Sequence, residues 1–421
     1  MALAKKPVTG MRDITPAEMQ IREYVMNQIK ETYKSFGFTQ IETPCVEHIG
    51  NLTSKQGGDN EKLIFKILKR GDKLNLEGSK EENDLVDSGL RYDLTLPLSR
   101  YYANNAANLP SPFKALQMGS VWRADRPQKG RFRQFVQCDI DILGDATSLA
   151  EIELISGYHH CPWKNLPGQR FYGPYQRQRY PAWHGPVLRF CGGVHGPGVH
   201  HPGQDGQDQA WTEWKKSFWS WDTPGSCEKY GELLSGVQHD AAGVRALGET
   251  LAGFLPEGQA GKPGGHYGYV AEVLPRTSAW KFDPTLVRGM GYYTGTIFEV
   301  SMDGFGGSVA GGGRYDKMIG KFTGMETPAC GFSIGFERIV TILMDAGFTV
   351  PAAAPKTAYL FEKGMDRERL SQVMKEATKE RMAGGQILVA QMNKNKKFQK
   401  EQLQKEGYTE FKEFYKDPLK R

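Results

Sequence analysis

No apolar run in this 421-residue chain reaches the roughly 18 to 20 residues that a membrane-spanning helix needs, and the opening MALAKKPVTGMRD lacks the apolar core of a signal peptide. The expectation is a cytoplasmic protein with no membrane partner. Cysteine is also scarce. Its six copies (Cys45, Cys138, Cys161, Cys191, Cys227 and Cys330) include no CxxC pair, so neither a disulfide framework nor a standard zinc site is indicated, and no metal is assigned to protein side chains. Charge of one sign is nearly balanced: the net +6 tolerates a polyanionic partner without demanding one. A further shortage is local. Residues 155–222 hold six of the eight Trp and six of the nine His, but only six Ile, Leu, Val or Met in 68 positions. What remains is ordinary for a soluble globular protein, with 39% hydrophobic and 24% charged residues, long enough for two or three domains.

Four regions differ in texture. PAEMQIREYVMNQIKETYKSF spaces Met19, Tyr24, Val25, Ile29 and Tyr33 as on one helix face, and FTQIETP alternates like a strand ending at Pro44. FKALQMGSVWRA, DRPQKGR and FRQFVQCDIDILG read as a strand, a basic turn and an antiparallel second strand. TIFEVSMDGFGGSVAGGGRYD gives two strands around Gly-rich turns, and CGFSIGFERIVTILMDAG a strand running into a helix. After the linker VPAAAPK, the tail alternates strand, helix, strand, helix, strand, the pattern of a small separate α/β domain.

The chemistry lies in the middle. DRPQKGRFR presents Arg126, Lys129, Arg131 and Arg133 on a turn, with Arg123 on the strand leading in. A solvated turn would explain such a loop standing alone, but VRGMGYYTG adds Arg288 beside Tyr292 and Tyr293, and GGGRYDK repeats the Gly-Arg-Tyr theme. Planar guanidinium groups match phosphate and carboxylate oxygens, and glycines allow a ligand close to the backbone. SGLRYDLTLPLSRYY contributes Asp93 and Thr95 from what reads as an extended segment, two groups suited to holding an ammonium.

These phrases, taken in order with KPVTGMRDITP at the start and GFSIGFERI near the end, resemble the histidyl-tRNA synthetases among the class II aminoacyl-tRNA synthetases, over roughly residues 5–155 and 225–418. The resemblance implies an α/β protein of the α+β kind. Its catalytic domain would span 1–345, an antiparallel sheet flanked by helices and interrupted by an insert at 157–224. A linker at 346–355 and a C-terminal α/β anticodon-binding domain at 356–421 would follow. It also implies activation of histidine by ATP with magnesium, transfer to the 3′ end of tRNA(His), and a homodimer. Asp93 and Thr95 would take the α-amino group, and Gln137, Asp141, Tyr292 and Tyr293 would read the imidazole. Arg123 and Arg338 would clamp the ATP phosphates, Phe132 would stack on adenine, and Asp125 would contact it. Arg288, with Arg123, would stabilise charge at the α-phosphate. Asp125 departs from the Glu usual in class II enzymes, which shortens the adenine contact, and Gly291 stands where some relatives carry Asp.

The Trp-rich stretch does not fit a helical insert, because its aliphatic content is too low. A metal reading would use His159, His160, Cys161, Cys191, His195, His200 and His201, which form no compact ligand pair. Six Trp argue against a solvating linker. Codons permitting VHHPGQDGQDQ (199–209) and RFYGPYQRQR (170–179), read one base later, permit phrases resembling the family's insert; Gly261–Tyr269 shifts the same way. We therefore expect about 65 residues near 157–224 and about ten near 260–270 to be out-of-frame text. Two alternatives to an active synthetase remain: a non-catalytic relative such as the regulatory subunit of ATP phosphoribosyltransferase, and a synthetase inactivated by a damaged insert. In the tail, Lys394, Lys396, Lys397 and Lys400 surround a helix start that could meet anionic RNA, or form a solvated face.

Overall fold

A computed structural model describes residues 3–53, 60–76, 81–127, 131–161, 292–302, 305–351 and 355–417, with isolated positions at 242, 246, 249 and 286. The described residues group into two compact units. One runs to Arg12 and then from Met26 to Ile342; the other combines Asp13–Val25 with Leu343 onward. Elements are numbered over the described residues.

Helix α1 (Pro16–Ser35) begins as its sequence dictates, with Pro at the first position and the Thr15 hydroxyl accepting the Glu18 amide at 3.4 Å. It stops at Gly37, whose φ of 79° lets the Phe38 amide return to the Tyr33 carbonyl at 3.0 Å. The buried stripe is Ile21, Val25, Ile29 and Tyr33, a strict four-residue step. Met19, placed on that face by the sequence reading, is 37% exposed, because a step of four from Val25 leads to Ile21.

The larger unit is built on a six-stranded sheet in the order β1-β5-β6-β9-β8-β7, comprising β1 (Thr39–Ile41), β5 (Phe113–Trp122), β6 (Gln134–Leu143), β7 (Ile297–Met302), β8 (Phe305–Arg314) and β9 (Ala329–Ile334). Only β1, paired with β5, is parallel; the other pairings are antiparallel, as the α+β reading expected. The β5–β6 hairpin is in continuous register from Phe113 opposite Leu143 to Trp122 opposite Gln134. A second sheet orders β2 (Val46–His48), β4 (Val86–Leu90) and β3 (Lys66–Leu68) as β2-β4-β3, beside the short helix α2 (Ile49–Leu52).

Helix α3 (Thr95–Asn105) follows β4 after only four residues, α4 (Leu149–His160) follows β6, and α5 (Lys317–Thr323) and α6 (Phe336–Asp345) flank β9 in sequence. Asp93 and Thr95 therefore stand at the entry of a helix and not in an extended segment. The Asp93 carboxylate accepts the Leu96 amide at 3.2 Å, and Pro97 is harmless there because a first-turn amide has no intrahelical acceptor.

Leu98, Phe113, Leu143, Tyr315, Met318 and Ile319 form one core cluster that ties α3 and α5 to the end of the hairpin. Residues 157–161 complete the last turn of α4: Gly157 lies against the Tyr33 ring, Tyr158 meets Phe332 at 5.1 Å, and Cys161 is buried. The remainder of 157–224 and the patch at 260–270 lie outside the described residues, as do Cys191, His195, His200 and His201.

The smaller unit carries a three-stranded, all-parallel sheet in the order β11-β10-β12, from β10 (Lys356–Phe361), β11 (Gln386–Gln391) and β12 (Tyr408–Phe414). Helix α7 (Arg367–Met382) is capped by Asp366, which accepts the Arg369 amide at 2.7 Å, and α8 (Lys396–Lys405) by Asn395, which accepts the Phe398 amide at 3.0 Å. Tyr359, Val373 and Ala377 form its core, with Met365, Ile387, Val389 and Phe414 packed against them.

Candidate active site

Because strand side chains alternate, Cys138, Ile140 and Ile142 fill one face of β6 while Gln137, Asp139 and Asp141 share the other. That polar face is buried, and it lines a pocket with Thr95, Tyr292, Tyr293, Gly311–Gly313, Tyr315 and Ser333. The pocket sits over β6, β9 and β8, where Asp141 pairs with Gly331 and Asp139 with Ser333 across the antiparallel ladder. Glycine is required at 331: a Cβ there would stand 2.1 Å from Asp141 Oδ1 and 2.9 Å from the Tyr315 ring.

The carboxylates are only partly satisfied. Tyr315 donates its phenol to Asp141 Oδ1 at 2.6 Å, while Asp141 Oδ2 is buried without a partner. Gln137 donates to Asp139 Oδ2 at 2.7 Å, leaving Asp139 Oδ1 unpartnered; Asp93 Oδ2 is likewise buried and unpartnered. Three acceptor oxygens in one buried region, with no donor supplied by the protein, describe a site made for a ligand with N–H groups.

Their electrostatics agree. Burial raises the Asp93 carboxyl. Burial lifts Asp139 to about 7, with the Asp93 charge adding to the rise against the Ser333 and Gln137 hydrogen bonds. Asp141 is raised well above its ordinary value by burial and then by the Asp139 charge. Burial similarly raises the phenols of Tyr292 and Tyr315, and Tyr292 is hydrogen-bonded with Thr95. The Tyr292 and Tyr293 rings lie 4.8 Å apart, and Tyr292 meets Tyr315 edge-on at 6.0 Å.

Of the residues expected to read histidine, Thr95, Gln137, Asp141, Tyr292 and Tyr293 thus meet in one pocket, and Asp93 is close enough for its charge to act on Asp139, Asp141 and Tyr292. Arg123 adjoins them. Its guanidinium donates to the Tyr92 carbonyl at 2.8 Å and to Gln137 Oε1 at 3.3 Å, with its carbon 5.2 Å over the Phe135 ring. Asp125, expected near adenine, is bound to Arg131 at 2.9 Å. Arg338 donates to the Ser308 carbonyl, and Phe132 is half-buried with the Arg12 guanidinium on its face. Arg288 lies outside the described residues, as does Lys129.

The sequence reading missed two pocket residues. Asp139 stands midway between Gln137 and Asp141, so a period of two places it on their face. Tyr315 belongs to the GGGRYD phrase, whose glycines were noticed without their neighbour's role. Among the described residues, no cluster of three His, Cys, Asp or Glu side chains could hold a metal ion. His160 Nδ1 lies 2.7 Å from the Ser156 carbonyl, and Cys161 is buried as a free thiol.

Comparison with known proteins agrees with this geometry. The family model described as histidyl-tRNA synthetase matches residues 10–162 and 241–339, a match broken across the Trp-rich stretch. A histidine–tRNA ligase of Leifsonia xyli subsp. xyli is 41% identical over 378 residues, covering 82% of this chain and 81% of that protein. A probable histidine–tRNA ligase of Tropheryma whipplei is 35% identical over 433 residues, covering 98% and 96%. The crystal structure of histidyl-tRNA synthetase from Nostoc sp. PCC 7120 superposes with a TM-score of 0.71 at 22% identity, covering 96% of this chain and 90% of that one, and so supports the fold. A family match over more than half of the chain, together with relatives this similar along most of their length, makes this chain a member of the histidyl-tRNA synthetase family.

Proposed function

We propose that the chain is a histidine–tRNA ligase, which joins histidine to ATP as histidyl-adenylate and passes the histidyl group to tRNA(His). The observation that carries this reading is the set of three buried, unpartnered carboxylate oxygens on Asp93, Asp139 and Asp141 beside Gln137. An ammonium and an imidazole ring supply the N–H donors these oxygens lack, and an amino acid without a polar ring would leave them unpaired. The Gln137 amide is oriented by Asp139 on one side and Arg123 on the other, so its dipole is set before substrate arrives.

In the first step a carboxylate oxygen of histidine attacks the α-phosphorus of ATP and pyrophosphate leaves. In the second a terminal ribose hydroxyl of the tRNA attacks the acyl carbon and AMP leaves. The first nucleophile is already ionised, so the protein's task is positioning and charge stabilisation, assigned to Arg123, Arg338 and Arg288. Magnesium, the ion expected to accompany ATP, would take its ligands mainly from the triphosphate; it neutralises phosphate charge when bound. Cytoplasmic location and a homodimer remain part of this reading, as does the tail's role in binding the anticodon. The composition of residues 162–224 supports out-of-frame text there, which a sequencing read across codons 150–275 decides. Histidine-dependent pyrophosphate exchange together with tRNA charging tests the activity. Exchange without charging would indicate a damaged enzyme, and neither would favour the regulatory relative.

The raised carboxyls carry a pH signature. A carboxyl whose folded-state pKa lies above its unfolded value holds its proton more tightly in the native protein. Stability is therefore greatest below the unfolded value and falls as pH rises toward the folded one, for Asp139 from 3.8 to about 7. The thermal midpoint of substrate-free protein is expected to drop between pH 5 and pH 7.5. Saturating histidine should flatten that drop by supplying cations, and Asp139→Asn should reduce it. A midpoint unchanged across this range would remove the charged pocket from the account.

In the tail, Lys396 pairs with Glu413 at 2.9 Å and with the Tyr415 phenol, and Lys400 pairs with Glu413 at 2.6 Å. Lys394 and Lys397 are exposed. Converting both to Ala is expected to raise KM for tRNA several-fold and to shallow its log–log salt dependence by about one, while pyrophosphate exchange is unchanged. An unaltered salt slope would mean a solvated face.

A further inference from the structure

Arg12 touches none of the pocket residues, yet it joins two segments far from it in sequence. The segment before α1 is laid against the turn of the β5–β6 hairpin. The Gly10 carbonyl accepts the Arg133 amide at 2.8 Å, and the Thr9 carbonyl is 3.5 Å from Arg133 Nη1. Gly10 has φ of 83°, and a Cβ there would stand 2.7 Å from the Arg133 side chain and 2.9 Å from Pro127. This close approach delivers Arg12 to Phe132, with the guanidinium carbon 4.4 Å above the ring centroid. The same guanidinium lies 3.5 Å from Glu337 Oε2. Glu337 is buried, accepts the Val136 amide at 3.0 Å through its other oxygen, and immediately precedes Arg338 on α6.

One cation therefore spans Phe132 on the hairpin and Glu337 on the helix that carries Arg338. Phe132 is half-buried, and with Arg12 over one face of its ring a planar ligand can stack only on the other. A guanidinium over a ring fixes the ring's tilt and draws on its electron density, both of which bear on what stacks opposite.

We propose that Arg12 is a positioning residue for ATP, holding the Phe132 ring and the start of α6 in register so that the adenine ring stacks on Phe132 within reach of Arg338. The proposal rests on the reading of Phe132 as the adenine platform. It asks of Arg12 no contact with the nucleotide.

The test measures ATP binding by calorimetry, and KM for ATP and for histidine in pyrophosphate exchange, in the parent protein and in Arg12→Ala, Arg12→Lys, Phe132→Leu and the Arg12→Ala/Phe132→Leu double variant. Arg12→Ala is expected to weaken ATP binding and raise its KM roughly two- to five-fold, the size of one part-exposed cation–π contact. The KM for histidine and the thermal midpoint should stay at parental values. Arg12→Lys should recover part of the loss, since it keeps the charge without the flat stack. In the Phe132→Leu background, removing Arg12 should add nothing further. Should Arg12→Ala fail to fold, Arg12→Gln carries the same comparison.

Unchanged ATP affinity in Arg12→Ala, while Phe132→Leu weakens it, overturns the proposal and leaves the adenine platform standing. Equal losses in both backgrounds, or a parallel rise in the KM for histidine, also overturn it, since those are the marks of general support. Unchanged ATP affinity in Phe132→Leu overturns the platform and the proposal together.

Discussion

Replacing Asp141 with Ala is expected to lower kcat/KM for histidine in pyrophosphate exchange by roughly 30- to several-thousand-fold, the result of losing about 2–5 kcal/mol when one partner of a desolvated charge contact is truncated. Asp141 is 2% exposed, and its Oδ2 faces the pocket with no donor from the protein, so whatever satisfies it comes from the substrate. The variant removes that acceptor and leaves the Tyr315 phenol, itself buried, without its 2.6 Å partner. Two comparisons separate these effects. Tyr315→Phe keeps the carboxylate but frees its second oxygen, so histidine should still be selected with a smaller loss. Asp141→Asn keeps the shape and one acceptor while removing the charge, and its loss should lie between the two. The KM for ATP should be nearly parental in all three. A tenfold rise there, or histidine kinetics unaffected by Asp141→Ala, would mean the pocket takes some other ligand.

The second large effect is on stability. Glu151, 1% exposed on α4, receives Arg314 from β8 through two hydrogen bonds of 2.8 and 2.7 Å, and the same guanidinium also donates to the Asp145 and Thr147 carbonyls and to Asp316. Arg314 is itself mostly buried and remains ionised, its pKa raised chiefly by Glu151 against the burial that lowers it. Glu151→Ala would strand that charge away from water, a loss of about 3–5 kcal/mol. Chemical denaturation should show the midpoint falling with little change in slope. Arg314→Met with Glu151→Leu should recover most of the loss, because an apolar pair of similar volume leaves no buried charge. A Glu151→Ala variant within 1 kcal/mol of the parent would show that the Asp316 contact and the carbonyls suffice.

Much of this fold was legible because its signals are local. The alternation of β5 and β6 around a basic turn, the two strands around Gly-rich turns, and the strand–helix alternation of the tail each depend on residues within a dozen positions of one another. The pocket was legible in part. Gln137 and Asp141 were named through resemblance, while Asp139 between them was passed over although the strand period places all three together. Asp93 and Thr95 were read as extended because a proline and a β-branched residue discourage helix; at a helix entry neither does, and there the carboxylate accepts an amide. Lys396 and Lys400 looked available for RNA because Glu413, which holds both, comes from a separate strand. Arg12 was beyond reach for the same reason at greater distance, since the Arg12–Glu337 contact spans 325 positions. Contacts of this kind are written in topology, and one sequence does not display them.

The seam between β6 and β9 also sets the order of events at the ribosome. Tyr315 and Asp141 are 174 positions apart, so the nascent chain carries β6 long before any strand exists to complete its polar face. Until residue 334 has emerged, the carboxylates of that strand have no Gly331, Ser333 or Tyr315 opposite them, and the site has no half-built working form. Closing the seam means bringing its ends together across a long intervening stretch, and that entropic cost grows only with the logarithm of length, about 0.6 kcal/mol for each doubling. Thermodynamically, then, the central sheet is nearly indifferent to how many residues lie between its two halves. In time it is not, because the hairpin must wait, its edge unpaired and open to wrong partners, for a strand synthesised much later.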